Sequence, residues 1–300
     1  MDLGGIALDT GLRSLAWVAR RHPTWQPARW GVDVLRDLVP DPARGREHWC
    51  DVYRPMAGGE GLPLVVYVHG GSFRLLSKDS HFAAGLRFAA EGAVVVVPNY
   101  PLAPKHPFPE PLEAVLDAVV WARANATSWG ADPERLVLAG ESAGANLATA
   151  ATLALIGVTD GLTRAPIGGP PKRLIASMGL LQTSDPGRFA RRRPIGTFLD
   201  KRIRSACTAY HPNGRPHPLA DPLLTIESDT PLPHFPPTHV AGAIRDALLD
   251  DSRRLRDALT RRGLPCQWHI GDGIHAYHFL PGKREGEALW RELTAFATAS

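Results

Sequence analysis

A chain of 300 residues is long for one small domain and short for two large ones, which predicts one large α/β domain or a core with a modest insert. With 44% hydrophobic and 21% charged residues the chain is not intrinsically disordered, and its apolar runs are too short to form a membrane span. The 34 basic residues are nearly balanced by 30 acidic ones, so the charge does not indicate a nucleic-acid partner.

Hydrophobic periodicity predicts strands and helices in alternation, beginning with helical patterning around Leu12, Leu15, Ala16 and Val18. The predicted strands are Val32–Leu38, His48–Tyr53, Leu64–Val68, Ala93–Val97, Leu136–Ala139, Leu174–Leu180, His239–Ala243 and Pro265–Ile270. The predicted helices are Leu112–Ala126, an Ala-rich segment that ends near Leu155, Phe198–Tyr210, Asp250–Arg262 and Arg284–Thr298. Such alternation is typical of a mostly parallel, doubly wound sheet.

Residues 184–235 interrupt this alternation, because they are rich in Pro and Arg and contain the run Arg191–Arg193. We interpret them as an insert over the sheet. The arginine-rich part, Arg188–Arg204, could bind acidic substrates or a membrane surface, although such runs more often form a solvated face.

The strongest chemical signal is the pentapeptide Gly140-Glu-Ser-Ala-Gly144, which lies between a short apolar strand and an Ala-rich helix. A serine on a strained strand-to-helix turn projects its hydroxyl, and the flanking glycines permit the tight turn. The pattern therefore predicts that Ser142 is a nucleophile.

A second signal, His69-Gly-Gly-Ser-Phe73, directly follows the predicted strand Leu64–Val68. Acyl transfer places negative charge on a carbonyl oxygen, and backbone N–H groups in small residues can reach that oxygen. We expect these donors from Gly71 and Ser72, with Gly70 as a further candidate, and from Ala143 directly after the nucleophile.

A serine nucleophile on such a turn is followed in the chain first by an acid and then by a base. Asp246, at the end of a predicted strand, is the expected acid; Asp250 and Asp251 fit a helix N-terminus better, and Asp272 is a further rival. For the base, the loop after the last strand offers His275 and His278.

We predict that His275 is the base, because it lies nearer the strand and follows a Gly-Ile step, whereas His278 fits a structural role beside Tyr277 and Phe279. The His275-x-x-His278 pair lacks the carboxylate pattern of a zinc site, so no metal is expected. The three cysteines, Cys50, Cys207 and Cys266, are far apart and have no metal or redox spacing.

These motifs resemble those of the hormone-sensitive-lipase-like group of α/β-hydrolases, the bacterial type IV esterases, over roughly residues 45–298. The block Tyr100–Pro109 is the most specific part of this resemblance, because no general argument about hydrolases predicts it. The resemblance implies an α/β-hydrolase fold with a central sheet of about eight strands, a Ser142/Asp246/His275 triad, and an oxyanion hole from the His69–Ser72 loop plus Ala143.

The resemblance also implies a helical lid. The corresponding segments are residues 1–45 (N-terminal lid part and first strand region), 46–183 (core with the nucleophile), 184–235 (lid insert) and 236–300 (core with acid and base).

The chain departs from the pattern of this group at three places. Ser72 stands where a third Gly is usual, so its N–H must be presented despite a Cβ atom. Pro101 and Lys105 replace the usual Arg and Glu, and Gly273 stands two places before His275 instead of three. None of these changes removes a catalytic group.

The resulting hypothesis is a serine hydrolase that cleaves carboxylic esters without a metal or organic cofactor. An amidase or deacetylase with the same triad is the alternative enzyme, and a small-molecule receptor on the same fold is the alternative from another class. A small ester is the expected partner, with no nucleic acid and no stable membrane insertion; a homodimer is left open.

The sparse, unpaired cysteines and the acidic N-terminus predict a cytoplasmic location. Acyl chain length and alcohol preference are open at this stage. Trp17, Trp25 and Trp30 could line a pocket for the acyl or alcohol group or could simply be packed.

Overall fold

Eight strands form one sheet in this computed structural model, which describes residues 11, 14, 16–192 and 194–299. The strands are β1 (Val32–Leu38), β2 (Cys50–Pro55), β3 (Leu62–Val68), β4 (Val94–Pro98), β5 (Ala131–Glu141), β6 (Arg173–Ser177), β7 (Thr238–Ala243) and β8 (Cys266–Gly271). Their order in the sheet is β1-β2-β4-β3-β5-β6-β7-β8. The strands β1 and β2 pair antiparallel, as do β2 and β4, and every other pair is parallel, which confirms the predicted mostly parallel sheet.

At least one helix follows each strand from β3 to β8. The helices are α1 (16–21), α2 (Phe82–Ala90), α3 (Glu110–Asn125), α4 (Ala143–Leu155), α5 (Arg188–Arg192), α6 (Thr197–Tyr210), α7 (Pro222–Glu227), α8 (Leu249–Arg261) and α9 (Arg284–Thr298). The helices predicted after β1 correspond to α3, α4, α6, α8 and α9. The predicted helical positions Leu12 and Leu15, and Arg193 of the arginine run, lie outside the described residues. None of the helices in the described part of the chain has the length and apolar character to cross a membrane.

Both faces of the sheet are covered, and the side chains of β3 alternate between two hydrophobic clusters. Val66 packs in the cluster that contains the buried residues of α3, α4 and α8. Val65 packs in the cluster that contains those of α2 and α9. A strand buried on both faces has no polar side to show in its sequence, which explains the continuous apolar run of β3.

No helix is predicted from the sequence over Phe82–Ala90, the residues that form α2. Gly85 in the centre of this helix explains why. Glycine lowers helix propensity by about 1 kcal/mol relative to alanine. Here it is required by packing, because a Cβ atom on Gly85 would lie 2.5 Å from the ring of Tyr53 in β2. Tertiary packing thus outweighs local preference at this position.

The segment between β6 and β7 contains the predicted insert, with α5, α6 and α7. Its arginines are mostly paired within the protein: Arg188 with Asp251, Arg191 with Asp185, Arg192 with Asp250, and Arg204 with Asp200. Most of the charge of this segment is therefore balanced locally, in keeping with a solvated face.

Two of the N-terminal tryptophans pack on the outside of α2. Trp25 and Trp30 stack with ring centroids 5.3 Å apart, and the Arg87 guanidinium lies over both rings. Trp25 also meets Phe82 edge-on. Trp17 is 57% exposed. For Trp25 and Trp30 these contacts match the packing alternative.

A buried ion-pair network joins the antiparallel edge of the sheet to the turn before α2. The Lys78 ammonium lies 2.8 Å from Asp51 in β2 and 2.7 Å from Asp37 in β1. Lys78 and Asp51 are both almost completely buried. Because a buried charge is costly without a partner, each of these two groups depends on the other.

We expect Lys78→Met to lower the free energy of unfolding by about 3–5 kcal/mol, because it leaves the Asp51 carboxylate buried without its ammonium partner. Urea unfolding measures this loss. The control is Arg54→Gln, which breaks the more exposed pair with Asp33 and should cost less than about 1 kcal/mol. Equal losses in the two variants would contradict the role of burial.

Candidate active site

Ser142 sits on a strained turn between β5 and α4, with φ 56° and ψ −118°. The turn is possible because glycines flank it. A Cβ atom on Gly140 would lie 2.4 Å from the carbonyl oxygen of Gly144, and one on Gly144 would lie 2.1 Å from that of Val68. The pentapeptide thus forms a sharp elbow at the carboxyl end of β5, where a side chain can project from the sheet.

Asp246 and His275 come from the loops after β7 and β8, and they contact each other directly. His275 Nδ1 lies 2.8 Å from Asp246 Oδ2. The Leu248 N–H donates to the other carboxylate oxygen of Asp246 at 2.9 Å. Since a carboxylate accepts, the His275 proton lies on Nδ1, and Nε2 is left to accept a proton from elsewhere.

The turn after β6 connects the serine elbow with the histidine loop. The Ser142 N–H donates to the Ser177 carbonyl at 2.9 Å. The next residue, Met178, accepts at its sulfur from the N–H of Ala276, 3.2 Å away. Ser142 is therefore hydrogen-bonded to this turn directly, and His275 is linked to it through its chain neighbour Ala276.

The charge of Asp246 sets the protonation of His275. Partial burial of the ring, whose side chain is 39% exposed, lowers its pKa, but the charge of Asp246 and the hydrogen bond to it raise the pKa more, and Glu141 adds to this increase. The net effect is a pKa of His275 above its usual value. The imidazolium that forms when this ring accepts a proton is stabilised.

The rival residues from the sequence occupy other environments. Asp251 is buried at the start of α8, where it pairs with Arg188 and accepts the N–H of Leu181 at 2.8 Å. Asp250 lies 3.5 Å from Arg192. Asp272 is exposed beside Arg245. None of these three carboxylates has the contact with a histidine that Asp246 has.

His278 lies in an aromatic environment, between the rings of Phe279 and Trp290. Neither of its ring nitrogens has a hydrogen-bond partner among the described residues. Burial, together with the nearby charges of His275, His81, Arg87 and His269, lowers the pKa of His278 to about 3. This ring is thus kept neutral and apart from Asp246.

The loop of residues 69–76, called the glycine loop below, carries the predicted oxyanion donors. Gly71 has φ 120°, and a Cβ atom there would lie 2.1 Å from the Leu75 carbonyl oxygen. Ser72 adopts a left-handed φ of 57° despite its Cβ atom. Ala143 is the first residue of α4, where the backbone N–H has no carbonyl partner within the helix. Gly70 differs from these three, because its N–H already donates to a side chain.

Glu141 is that acceptor, and the sequence analysis assigned it no role. Its Oε1 accepts the Gly70 N–H at 3.0 Å and lies 2.8 Å from His81 Nε2. The residue is only 4% exposed. An acidic side chain at the buried end of a strand is the signal that could have identified it, since such a group needs partners. The commitment of Gly70 to Glu141 leaves Gly71, Ser72 and Ala143 as donors for an oxyanion.

The block Tyr100–Pro109 supports the glycine loop from another side. The Tyr100 hydroxyl donates to the His69 carbonyl at 2.9 Å, and the two rings stack at 4.3 Å. The Ala103 N–H donates to the Phe73 carbonyl at 2.9 Å. This block thus acts as a scaffold for the loop.

Among the residues that the structure describes, no three His, Cys, Asp or Glu side chains are grouped to hold a metal ion.

Comparison with known proteins identifies relatives by sequence. A family profile described as alpha/beta hydrolase fold matches residues 65–279. The carboxylesterase NlhH of Mycobacterium tuberculosis is 31% identical over 249 residues, covering 79% of this chain and 70% of the relative. An acetyl-hydrolase of Streptomyces hygroscopicus is 33% identical over 231 residues, covering 72% of this chain and 68% of the relative.

Solved structures show the same fold. The esterase LipW of Mycobacterium marinum superposes with a TM-score of 0.81 at 23% identity, covering 99% of this chain and 90% of that one. A hyperthermophilic esterase of Pyrobaculum calidifontis gives a TM-score of 0.75 at 23% identity, covering 99% of this chain and 94% of that one. The likeness in architecture therefore extends over almost the whole chain.

Asp246→Asn should move the acid limb of any residual activity to lower pH, because it removes the charge that raises the pKa of His275. A base must be neutral to accept a proton, so activity of the unaltered protein should fall as pH decreases through a pKa above 6.5. The rate should also drop by up to about 10⁴-fold, since the imidazole loses its fixed tautomer.

The measurement for Asp246→Asn is kcat/KM for an ester from pH 5 to 9. Asp250→Asn is the matched control, because it neutralises an aspartate four residues away that does not contact His275; its pH limb should stay in place. An Asp246→Asn limb that does not move, or a larger loss from Asp250→Asn, would show that Asp246 is not the acid.

His278→Phe should make the protein less sensitive to acid. The pKa of His278 is about 3 in the folded protein against 6.5 for the free group. The unfolded chain therefore binds an extra proton between these values, and the unfolding free energy falls as pH decreases through this range. Removing the group should flatten this decrease by up to about 1.4 kcal/mol per pH unit.

Urea unfolding at pH 7, 6, 5 and 4 tests the effect of His278→Phe. The control is His234→Asn, which removes an exposed histidine and should leave the slope unchanged. His239, whose pKa burial lowers to about 4, supplies a second acid-sensitive contribution in both variants. An identical slope for His278→Phe and the unaltered protein would contradict the neutral, buried state of this ring.

Proposed function

The chain belongs to the hormone-sensitive-lipase-like group of the alpha/beta hydrolase fold family and is a carboxylesterase-like hydrolase, and on this premise we propose that it cleaves carboxylic esters of short to medium acyl chains through Ser142, His275 and Asp246. The hydrogen bond between His275 and Asp246 is the observation that carries this proposal, and the turn after β6 links the loop of His275 to the serine elbow. Ser142 follows β5, Asp246 follows β7 and His275 follows β8, which is the chain order of nucleophile, acid and base expected for acyl transfer on this fold.

In the first half of the reaction, Ser142 attacks the ester carbonyl and His275 Nε2 takes the hydroxyl proton. The N–H groups of Gly71, Ser72 and Ala143 donate to the oxyanion that forms. In comparable sites, removal of one such donor lowers kcat by about 10²–10³-fold. Asp246 stabilises the imidazolium and holds its ring in place.

In the second half, the alcohol leaves with the proton from His275, and Ser142 carries the acyl group. Water then attacks the acyl-enzyme while the same histidine accepts its proton. The acid is released and the serine hydroxyl is restored. This route uses only side chains and backbone groups of the chain, so no cofactor enters the proposal.

The two alternatives differ from this proposal in what the site must do. An amidase or deacetylase would use the same groups but would have to protonate a poor amine leaving group. A receptor on this fold needs no paired Asp246 and His275, so their contact at 2.8 Å favours an enzyme. We assign the lid role to the part of residues 1–45 that precedes β1 and to residues 184–235, which lie between the two parts of the core in sequence.

Ser142→Ala should lower kcat by at least about 10³-fold while the fold survives, because the other groups cannot act without the nucleophile. The assays are hydrolysis of p-nitrophenyl esters from acetate to dodecanoate and of the matching anilide, together with labelling by a fluorophosphonate probe. We expect the esters to react faster than the anilide, with the highest kcat/KM at short to medium chains.

Ser228→Ala is the matched control for Ser142→Ala, because its hydroxyl bonds only within the turn of residues 225–230. It should keep activity and labelling. Thermal unfolding of both variants checks that the fold is intact. Retention of most activity in Ser142→Ala would overturn the proposed function, and a faster anilide reaction would favour the amidase.

A further inference from the structure

The glycine loop has a backbone that its own residues do not favour. Ser72, Phe73 and Leu76 have φ values of 57°, 60° and 70°, in the left-handed backbone region that residues other than glycine rarely adopt. Strained conformations of this kind persist only where the surrounding structure holds them. The loop that would carry the oxyanion donors must therefore be held from outside.

Phe73 is held by an aromatic stack with the insert. Its ring is fully buried and lies parallel to the ring of Tyr210 in α6, with centroids 3.8 Å apart and an interplanar angle of 6°. The ring of Phe108 packs edge-on against the ring of Tyr210, with centroids 5.9 Å apart. The Phe108 N–H also donates to the Tyr210 carbonyl at 2.7 Å, which fixes the end of α6.

The next residue of the loop binds the same helix. Arg74 Nη1 donates to the hydroxyl of Ser205 at 2.5 Å. Ser205 and Tyr210 both belong to α6, so two consecutive residues that directly follow Ser72 are attached to one helix of the insert. The Tyr210 side chain acts through its ring, because its buried hydroxyl has no hydrogen-bond partner among the described residues.

We propose that α6 is a positioning element for the oxyanion donors, in which Tyr210 and Ser205 hold the left-handed backbone of the glycine loop. They act through Phe73 and Arg74 and do not touch the reacting atoms. The insert therefore does more than cover the substrate: it sets the donor geometry at Gly71 and Ser72. This inference rests on the proposed function, since it assumes that the loop binds an oxyanion.

Tyr210→Leu and Ser205→Ala test this role by releasing one contact each. Because the bound ester carries no oxyanion and the charge develops only on the way to the tetrahedral intermediate, we expect kcat to fall about 10-fold for each variant while KM changes by less than about twofold. An aryl boronic acid, which forms a tetrahedral adduct on the serine, should lose affinity by a similar factor. A helix that merely shaped the substrate pocket would change KM instead.

Two control variants separate positioning from a general disturbance of α6. Tyr210→Phe keeps the ring stack and removes only the unpartnered hydroxyl, so it should restore kcat and boronate affinity relative to Tyr210→Leu. Thr208→Ala removes a hydroxyl from the same helix at an exposed position, and it should match the unaltered protein. If Tyr210→Leu fails to fold, Ser205→Ala with Thr208→Ala as its control decides the question.

The outcomes for the inference and for the proposed function are distinct. Unchanged kcat in Ser205→Ala and Tyr210→Leu, or a rise in KM without loss of kcat, overturns the positioning role while Ser142→Ala remains inactive. Active Ser142→Ala protein overturns the proposed function itself. A parallel loss of kcat and boronate affinity in both α6 variants, with inactive Ser142→Ala protein, supports both.

Discussion

The close approach of α4 to the end of β3 is the constraint on which the rest of the site depends. A side chain at Gly144 would collide with the Val68 and His69 carbonyls, and one at Gly140 would collide with Gly144 itself. Because nothing larger than hydrogen occupies these positions, Ser142 can take its strained turn. Next to this turn, Glu141 accepts the Gly70 N–H, and Ala143 follows the nucleophile directly in the chain.

Two histidines in one loop show how strongly local surroundings decide chemical character. The carboxylate of Asp246 raises the pKa of His275. Three residues later, burial between Phe279 and Trp290 lowers the pKa of His278 to about 3. Both effects follow from elementary electrostatics, since a nearby anion favours the charged ring and a dry aromatic environment disfavours it. Of these two rings, only His275 is placed against an anionic partner and can become charged near neutral pH.

The sequence predicted the strands, the main helices and the sheet class, because these follow from periodicity and from residues close together in the chain. It did not reveal the partners that tertiary packing supplies. Helix α2 was missed because Gly85 disguises it, although Tyr53 requires that glycine. Gly70 was a further candidate donor, because no signal near it in the sequence indicates that Glu141, 71 positions away, accepts its N–H. The contact between Phe73 and Tyr210 is equally invisible, since the two residues are 137 positions apart in the chain.

The glycine loop illustrates why an unusual residue can be accepted at a site with strict geometry. Ser72 has a left-handed backbone, and this conformation carries a cost that glycine would avoid. That cost is met by contacts on either side of Ser72: Glu141 binds Gly70, while the Tyr100 block and α6 hold Phe73 and Arg74. These supports come from distant parts of the chain, so the loop owes its shape to the assembled fold. A core and an insert joined in this way share one constraint, and a rearrangement of the insert must be transmitted to the glycine loop.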